Sequence, residues 1–252
     1  MTSFDVKRMT PLRESRPRPF AVPLRAPCGA CAVRDLTLCA TLKEPELAEM
    51  AAIVTTLELS PGDPLFDEAE PAEHMFNVTA GAVKVYKLLA DGRRQVTGFL
   101  FPGDFLGLAN QETYAYSAEA ITHTALCRFP RRKLERLLER YPKMEHRLLG
   151  MASHELAVAQ EQMLLLGRKT AREKIASFLL MLSRRATQRG QAGDPVSVPM
   201  SRNDIGDYLG LTTETVSRTF TQLKQGGGIT LLQGGKVALA DRARLEDIAE
   251  GL

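Results

Sequence analysis

Between Glu58 and Phe129 the chain alternates apolar and polar residues in short stretches cut by turns. Ala82-Val83-Lys84-Val85-Tyr86-Lys87 has the two-residue period of a half-buried strand, and Asp91-Gly92 supplies a hairpin turn after it. Pro61-Gly62-Asp63 and Pro102-Gly103-Asp104 repeat one kind of turn signal. Short strands with this punctuation predict a small β barrel or sandwich.

Beyond Phe129 the texture becomes helical. Tyr141-Pro142 marks a break, and Pro142 suits the first position of a new helix. Roughly 25 proline-free residues follow, a rod of about 37 Å at helical rise. Leu149, Ala152, Leu156, Ala159, Met163 and Leu166 recur along it in alternating steps of three and four. Such a stripe can pack on the chain's own β region. Its regular heptad spacing and small alanines favour a helix pair across a dimer axis. A further helix opens at the capping box Thr170-x-x-Glu173, shows an apolar face of Ile175, Phe178, Leu179 and Leu182, and ends near Gly190, Gly193 and Pro195. Two short helical segments come next. Ile229–Gln233 and Lys236–Leu239, joined by Gly234-Gly235, then predict a tight hairpin.

The two short segments have a chemistry of their own. Ser201 caps the first, whose Ile205 and Leu209 face inward; Gly210 makes the turn, Leu211 plugs the core, and Thr212 caps the second. On the second, Val216 and Phe220 share one side, while Glu214, Ser217 and Arg218 share the other. Arg218 can bind guanine O6/N7 bidentately, Glu214 can accept from a cytosine amine, and Ser217 can reach a base or phosphate. Thr212 and Thr213 stand at a helix N-terminus suited to phosphate, and Arg202 at the start of the first segment completes the candidate DNA-binding set. A Glu–Arg pair four residues apart also suits an ordinary solvated face. The helix–turn–helix spacing and the following hairpin together favour double-stranded DNA as the partner.

Composition narrows the classes. With 252 residues, 44% of them hydrophobic and 25% charged, the chain has room for two modest cores. Its net charge of +3 is compatible with nucleic acid but too small to argue for it alone. No apolar run approaches the roughly 20 residues that span a bilayer, and the first residues lack a secretion signal, so a cytoplasmic location and no membrane partner are expected. Residues 1–27, rich in proline and arginine, read as a flexible basic arm. Four cysteines occur: Cys28, Cys31 and Cys39 as C-x2-C-x7-C, and the distant Cys127. Four thiolates suit a cubane iron–sulfur cluster or tetrahedral zinc, and Cys28-x-x-Cys31 also suits a dithiol switch. Cys127 alone, sharing a strand face with Ala125 and Phe129, reads as a small buried hydrophobe. An enzyme is disfavoured: His74, His123, His146 and His154 are scattered singly, no glycine-rich phosphate loop occurs, and Cys28-x-x-Cys31 does not follow a strand.

Glu214-Thr-Val-Ser217-Arg218 resembles the recognition-helix core of the CRP/FNR superfamily of transcription regulators. Gln95-Val-Thr-Gly98-Phe, Leu164-Leu-Leu166, Leu182-Ser-Arg-Arg185 and Asp204-Ile-Gly-Asp-Tyr-Leu-Gly210-Leu resemble its FNR branch of oxygen sensors. The resemblance implies an α+β fold. An antiparallel β-roll sensor of the cyclic-nucleotide-binding kind, which also binds the cluster, would span 28–140. A dimerisation helix would span 141–168 and a winged helix-turn-helix 169–252. It further implies an oxygen-labile [4Fe-4S] cluster on Cys28, Cys31, Cys39 and Cys127, a homodimer, contacts with RNA polymerase, and activation of anaerobic genes at TTGAT-N4-ATCAA-like operators. The spacing from Cys31 to Cys39 is longer than in the best-known members and resembles the FnrN/FnrL-like ones. Superfamily members that bind cyclic nucleotide need a ribose-binding Glu and a phosphate-binding Arg-Ser pair. Here Leu108 follows Phe105-Leu-Gly107, and Tyr116-Ser117 replaces the pair. A buried phosphate without its guanidinium is costly, so no cyclic nucleotide is expected.

Overall fold

The computed structural model describes residues 28–108 and 112–252; the arm expected over 1–27 lies outside the described residues. The alternation read from the sequence becomes eight strands among the described residues of 55–130. They are β1 (Thr55–Leu59), β2 (Pro64–Phe66), β3 (His74–Ala80), β4 (Val83–Leu88), β5 (Arg94–Leu100), β6 (Phe105–Leu106), β7 (Ser117–Ala120) and β8 (Thr124–Pro130). Two antiparallel four-stranded sheets result, ordered β1-β8-β3-β6 and β2-β7-β4-β5. Leu57, Leu59, Phe76, Val78, Val83, Leu100 and Leu126 join in the core they share, which makes the expected β-roll.

Strand alternation sends Met75, Asn77, Cys127 and Phe129 to the opposite face of the first sheet. A second core forms there. Three single turns of 3-10 helix (Cys28–Ala30, Arg34–Leu36 and Leu38–Thr41) contribute Leu38, and Leu42 follows directly after the last of them. Leu47 and Met50 come from α1 (Glu44–Ile53), a helix that the sequence reading does not anticipate. Its start is set by Glu46, whose Oε2 accepts from the Lys43 N–H at 2.7 Å, with Pro45 in the first turn. Leu134, Leu137 and Leu138 of α2 (Arg131–Arg140) and Met144 of α3 (Pro142–Arg168) close this core. The 27 residues of α3 span about 40 Å, and Met144 is its one buried residue.

After α4 (Ala171–Gln188) come α5 (Arg202–Leu209), α6 (Thr213–Gln225) and α7 (Arg242–Glu250). The predicted hairpin is present as β10 (Thr230–Leu231) and β11 (Lys236–Ala238), and β9 (Val196–Ser197) adds an unforeseen third strand. A third core unites Ile175, Phe178, Leu179, Ile205, Leu209, Val216 and Phe220 with Val96 and Phe99 of the β4–β5 hairpin. The rings of Phe99, Phe178 and Tyr208 meet at centroid distances of 5.0–6.1 Å.

An ion network covers the same junction. Asp204, third residue of α5, uses Oδ2 to accept from the Ser201 N–H at 3.2 Å and the Ser201 hydroxyl at 2.6 Å. Its Oδ1 lies 2.9 Å from both Lys84 Nζ and Arg94 Nη2. Lys84 also reaches Glu119 at 2.8 Å, and Arg94 reaches Asp207 at 2.9 Å. One carboxylate therefore caps a helix and joins it to the β-roll. Burial pushes its carboxyl up, but the Ser201 hydroxyl, Lys84 and Arg94 outweigh this and hold it below the ordinary carboxylate value. Its contribution is therefore complete above about pH 3.9 and fades as pH falls below that value. We expect Asp204→Ala to lower stability by about 3 kcal/mol in urea unfolding at neutral pH, because Lys84 and Arg94 each lose a partner. A loss under about 1 kcal/mol would mean that the network is as weak as a surface pair.

Candidate functional site

The cysteines come together. Cys28 and Cys31 are linked by a turn in which Cys31 N donates to Cys28 O at 3.5 Å, and Arg34 N then donates to Cys31 O at 3.2 Å. Cys39 N donates to Thr37 Oγ1 at 3.2 Å, which fixes the start of the third turn. Cys127 lies in β8 opposite Thr56 of β1 and Asn77 of β3. All four line one cavity of about 240 Å3, together with Met50, Asn77 and Phe129. They are free thiols, each half-buried. Burial pushes Cys39 up to about 11 and Cys127 up to about 12, and the other cysteines add to the rise at Cys127. Cys28 is raised by burial and by Cys31. Among the described residues no three His, Cys, Asp or Glu side chains stand close enough to hold a single metal ion.

This cysteine segment is tied to the long helix. Arg147 of α3 donates from Nε to Thr37 O at 2.6 Å and from Nη2 to Asp35 O at 2.8 Å. Arg34 donates to Leu42 O at 2.7 Å and folds the segment on itself. Leu38 and Met144, both with no exposed surface, meet in the core beneath. Two residues past Arg147 the seam begins. Leu149, Leu156 and Met163 are 64%, 60% and 65% exposed, Ala159 is exposed, and Ala152 and Leu166 are half-buried. Most of the stripe thus faces away from this chain's own cores.

The helix pair at 201–225 has the expected construction. Ser201 caps α5, which ends at Gly210 with φ of 63°, a left-handed conformation that favours glycine. Gly206 is required by contact: a Cβ there would stand 2.6 Å from Leu211 O. Thr212 caps α6 by accepting from Thr215 N at 3.2 Å. Val216 and Phe220 are buried, while Glu214, Ser217 and Arg218 are exposed on the opposite side. Backbone N–H and the Thr212 hydroxyl hold the Glu214 carboxyl below its ordinary value, so it is an acceptor at neutral pH. Thr213 donates to Asn203 Oδ1 at 3.2 Å. The Arg202 guanidinium lies 3.4 Å over the Phe220 ring, so its side chain is occupied in joining α5 to α6. Sequence reasoning misses three residues that build these sites: Arg147, Asp204 and Asn77. Asn77 leaves a trace in the sequence as a lone amide in the apolar run Met75-Phe76-Asn77-Val78, and Asp204 leaves one as the last residue of the capping pattern Ser201-x-x-Asp204.

Comparison with known proteins agrees with this architecture. Residues 56–141 match the cyclic nucleotide-binding domain family, and residues 173–248 match the Crp-like helix-turn-helix domain family. The nitrogen fixation regulation protein FixK of Bradyrhizobium diazoefficiens is 42% identical over 88% of this chain and 93% of its own. The transcriptional activator protein FnrL of Cereibacter sphaeroides is 38% identical over 86% of this chain and 90% of its own. The solved structure of FixK2 from Bradyrhizobium japonicum superposes with a TM-score of 0.73 at 40% identity, covering 78% of this chain and 97% of that one. Among the described residues no helix is long and apolar enough to cross a membrane. The chain belongs to the CRP/FNR family, on its FNR branch, and is a DNA-binding transcription regulator, not an enzyme.

Proposed function

We propose that this protein is a cytoplasmic, oxygen-responsive transcription activator that carries a [4Fe-4S] cluster on Cys28, Cys31, Cys39 and Cys127. It works as a homodimer on TTGAT-N4-ATCAA-like operators of anaerobic and microaerobic genes. Residues 28–140 form the sensor, 141–168 the dimerisation helix and 169–252 the DNA-binding domain. One observation carries the reading: four thiols, distant in sequence, line a single cavity. The donor set fits the cluster. Four thiols around one cavity are the number and kind of ligand that a cubane cluster requires.

When bound, the cluster supplies covalent cross-links that oxygen attack can break. Cys28, Cys31 and Cys39 would then anchor the N-terminal turns to Cys127 on β8. Arg147, gripping the carbonyls of Thr37 and Asp35, carries that constraint to α3 two residues before the seam. With the turns fixed, Leu149, Ala152, Leu156, Ala159, Met163 and Leu166 pair with their copies across a two-fold axis. Two α6 helices then enter successive major grooves. Arg218 reads guanine, Glu214 reads cytosine, Ser217 assists, Thr212 and Thr213 bind phosphate, and Arg202, which also braces α6 through Phe220, belongs to the same DNA-binding set. RNA polymerase is the partner expected for an activator of this family. Cyclic nucleotide has no place in the scheme. The Tyr116 hydroxyl accepts from Gly107 N at 3.3 Å and Ser117 Oγ accepts from Glu68 N at 2.9 Å, so both groups at the Arg-Ser position are already engaged.

Protein purified without oxygen should be brown, with about four iron and four sulfide per chain and visible absorbance that bleaches in air. Serine at any one of the four cysteine positions should lower the iron content; a colourless, zinc-containing protein would contradict the reading. Arg218→Ala should weaken operator binding by about 1–3 kcal/mol, roughly 10- to 100-fold, in anaerobic gel shifts with iron content unchanged. Retained sequence preference would show that α6 does not read the bases. Leu156→Glu should weaken dimerisation at least about tenfold in anaerobic sedimentation, since a charge at the seam would be buried against its copy. An unchanged dimer mass would place the dimer interface elsewhere.

A further inference from the structure

The cavity among the cysteines is also lined by a buried amide. Asn77 is 2% exposed, in the middle of β3, and its Oδ1 is buried without a hydrogen-bond partner. It is the cross-strand neighbour of Cys127 and lines the same cavity as all four thiols. Residues directly opposite in an antiparallel pair have Cβ atoms about 4.5–5.5 Å apart, within reach of a side-chain amide. The residues on either side in β3, Phe76 and Val78, are core apolar groups, and Met75 on its own face packs against Phe129 and Met144. In such a place a leucine of similar volume would bury apolar surface without an unpaired oxygen, whereas a buried amide oxygen that lacks a partner destabilises the fold. The amide oxygen is therefore left without a partner among the protein atoms around it, although Thr56 and Thr79 line the same cavity. The amide group is well matched to something that would fill the space between the thiols.

The chemistry of that filling decides which amide group is used. Thiolate and sulfide sulfurs are acceptors without protons, so they call for a donor. A half-turn of χ2 exchanges Oδ1 for the amide N–H2 at little cost, because that torsion is broad and two-fold. We propose that Asn77 donates a hydrogen bond to the sulfur of the iron–sulfur centre on its Cys127 side and sets how readily that centre is oxidised. This rests on the cluster reading given above. Hydrogen bonds to sulfur offset its negative charge and raise the reduction potential of such centres. Removing the donor makes oxidation easier. Asn77 acts on the centre without ligating iron, so it is a tuning residue and no fifth ligand.

The test compares wild type with Asn77→Leu, both prepared without oxygen. Iron and sulfide content of the wild type judges the underlying reading by itself: a wild type without iron removes that reading and this inference with it. With the cluster present, Asn77→Leu should still bind iron, should shift the potential of the centre to more negative values, and should bleach in air about tenfold faster. The metal-free form of Asn77→Leu should melt no lower than metal-free wild type, because the unpaired amide oxygen is gone. Equal bleaching rates and potentials in the two proteins would overturn the inference while leaving the cluster reading intact. A lower melting temperature of the metal-free variant would mark Asn77 as a structural residue and also count against it. Should Asn77→Leu fail to fold, Asn77→Asp replaces the donor with an acceptor of the same shape and is expected to bleach faster still; a rate equal to wild type would then overturn the inference.

Discussion

Residues 28–42 own almost no regular structure, and their hold on the body of the protein is the constraint on which the rest depends. Single 3-10 turns make few internal hydrogen bonds and cannot fix themselves in water. Two things hold them: Leu38, fully buried beside Met50, Phe129 and Met144, and the Arg147 guanidinium on the Thr37 and Asp35 carbonyls. Both holds involve the first turns of α3. Any change that loosens the cysteine turns therefore acts first on the helix that displays the seam. Four thiols facing one cavity give a cross-linking group a direct means of tightening that hold.

The other end of α3 is tied just as specifically. Gln162 donates to Tyr208 O at 2.8 Å, and a methyl group at Gly210 would stand 3.4 Å from Leu166 Cδ2. The helix pair that presents Arg218 is thus in register with the last turns of α3, while the Asp204 network fastens the same pair to the β4–β5 hairpin. A helix of 27 residues with no internal proline or break joins the two contacts. It is a stiff connector, so tightening at one end need not be passed along through side-chain rearrangements in between. In the proposed dimer, the exposed leucines on the outer face of α3 have a clear physical reason.

Much of this was legible beforehand because it rests on local rules. The cap at Thr212, the left-handed Gly210 and the split of α6 into a buried Val216 face and an exposed Arg218 face follow from capping and helical period alone. The strand texture was equally readable, since each hairpin carries its own turn chemistry. The parts that were not legible depend on partners distant in sequence. Helix α1 has weak amphipathic patterning and is stabilised by what it covers, Leu47 and Met50 against the cysteine turns. Strand β9 is two residues long and exists only because β11 pairs with it. The Arg202 guanidinium lies on Phe220, a contact that no spacing rule announces. Arg147 and Asn77 are single polar residues whose meaning comes entirely from carbonyls and thiols brought to them by the fold.

In the proposed mechanism, loosening at the cysteines is felt at the start of α3 and along its seam before it is felt at the DNA-reading helix. Backbone hydrogen exchange of the anaerobic protein, compared with the same sample after air exposure, tests this directly. The expected result is lost protection in 28–42 and in 142–166, with 213–225 keeping its protection. Protection that falls equally in all three segments, or in none of them, would contradict it.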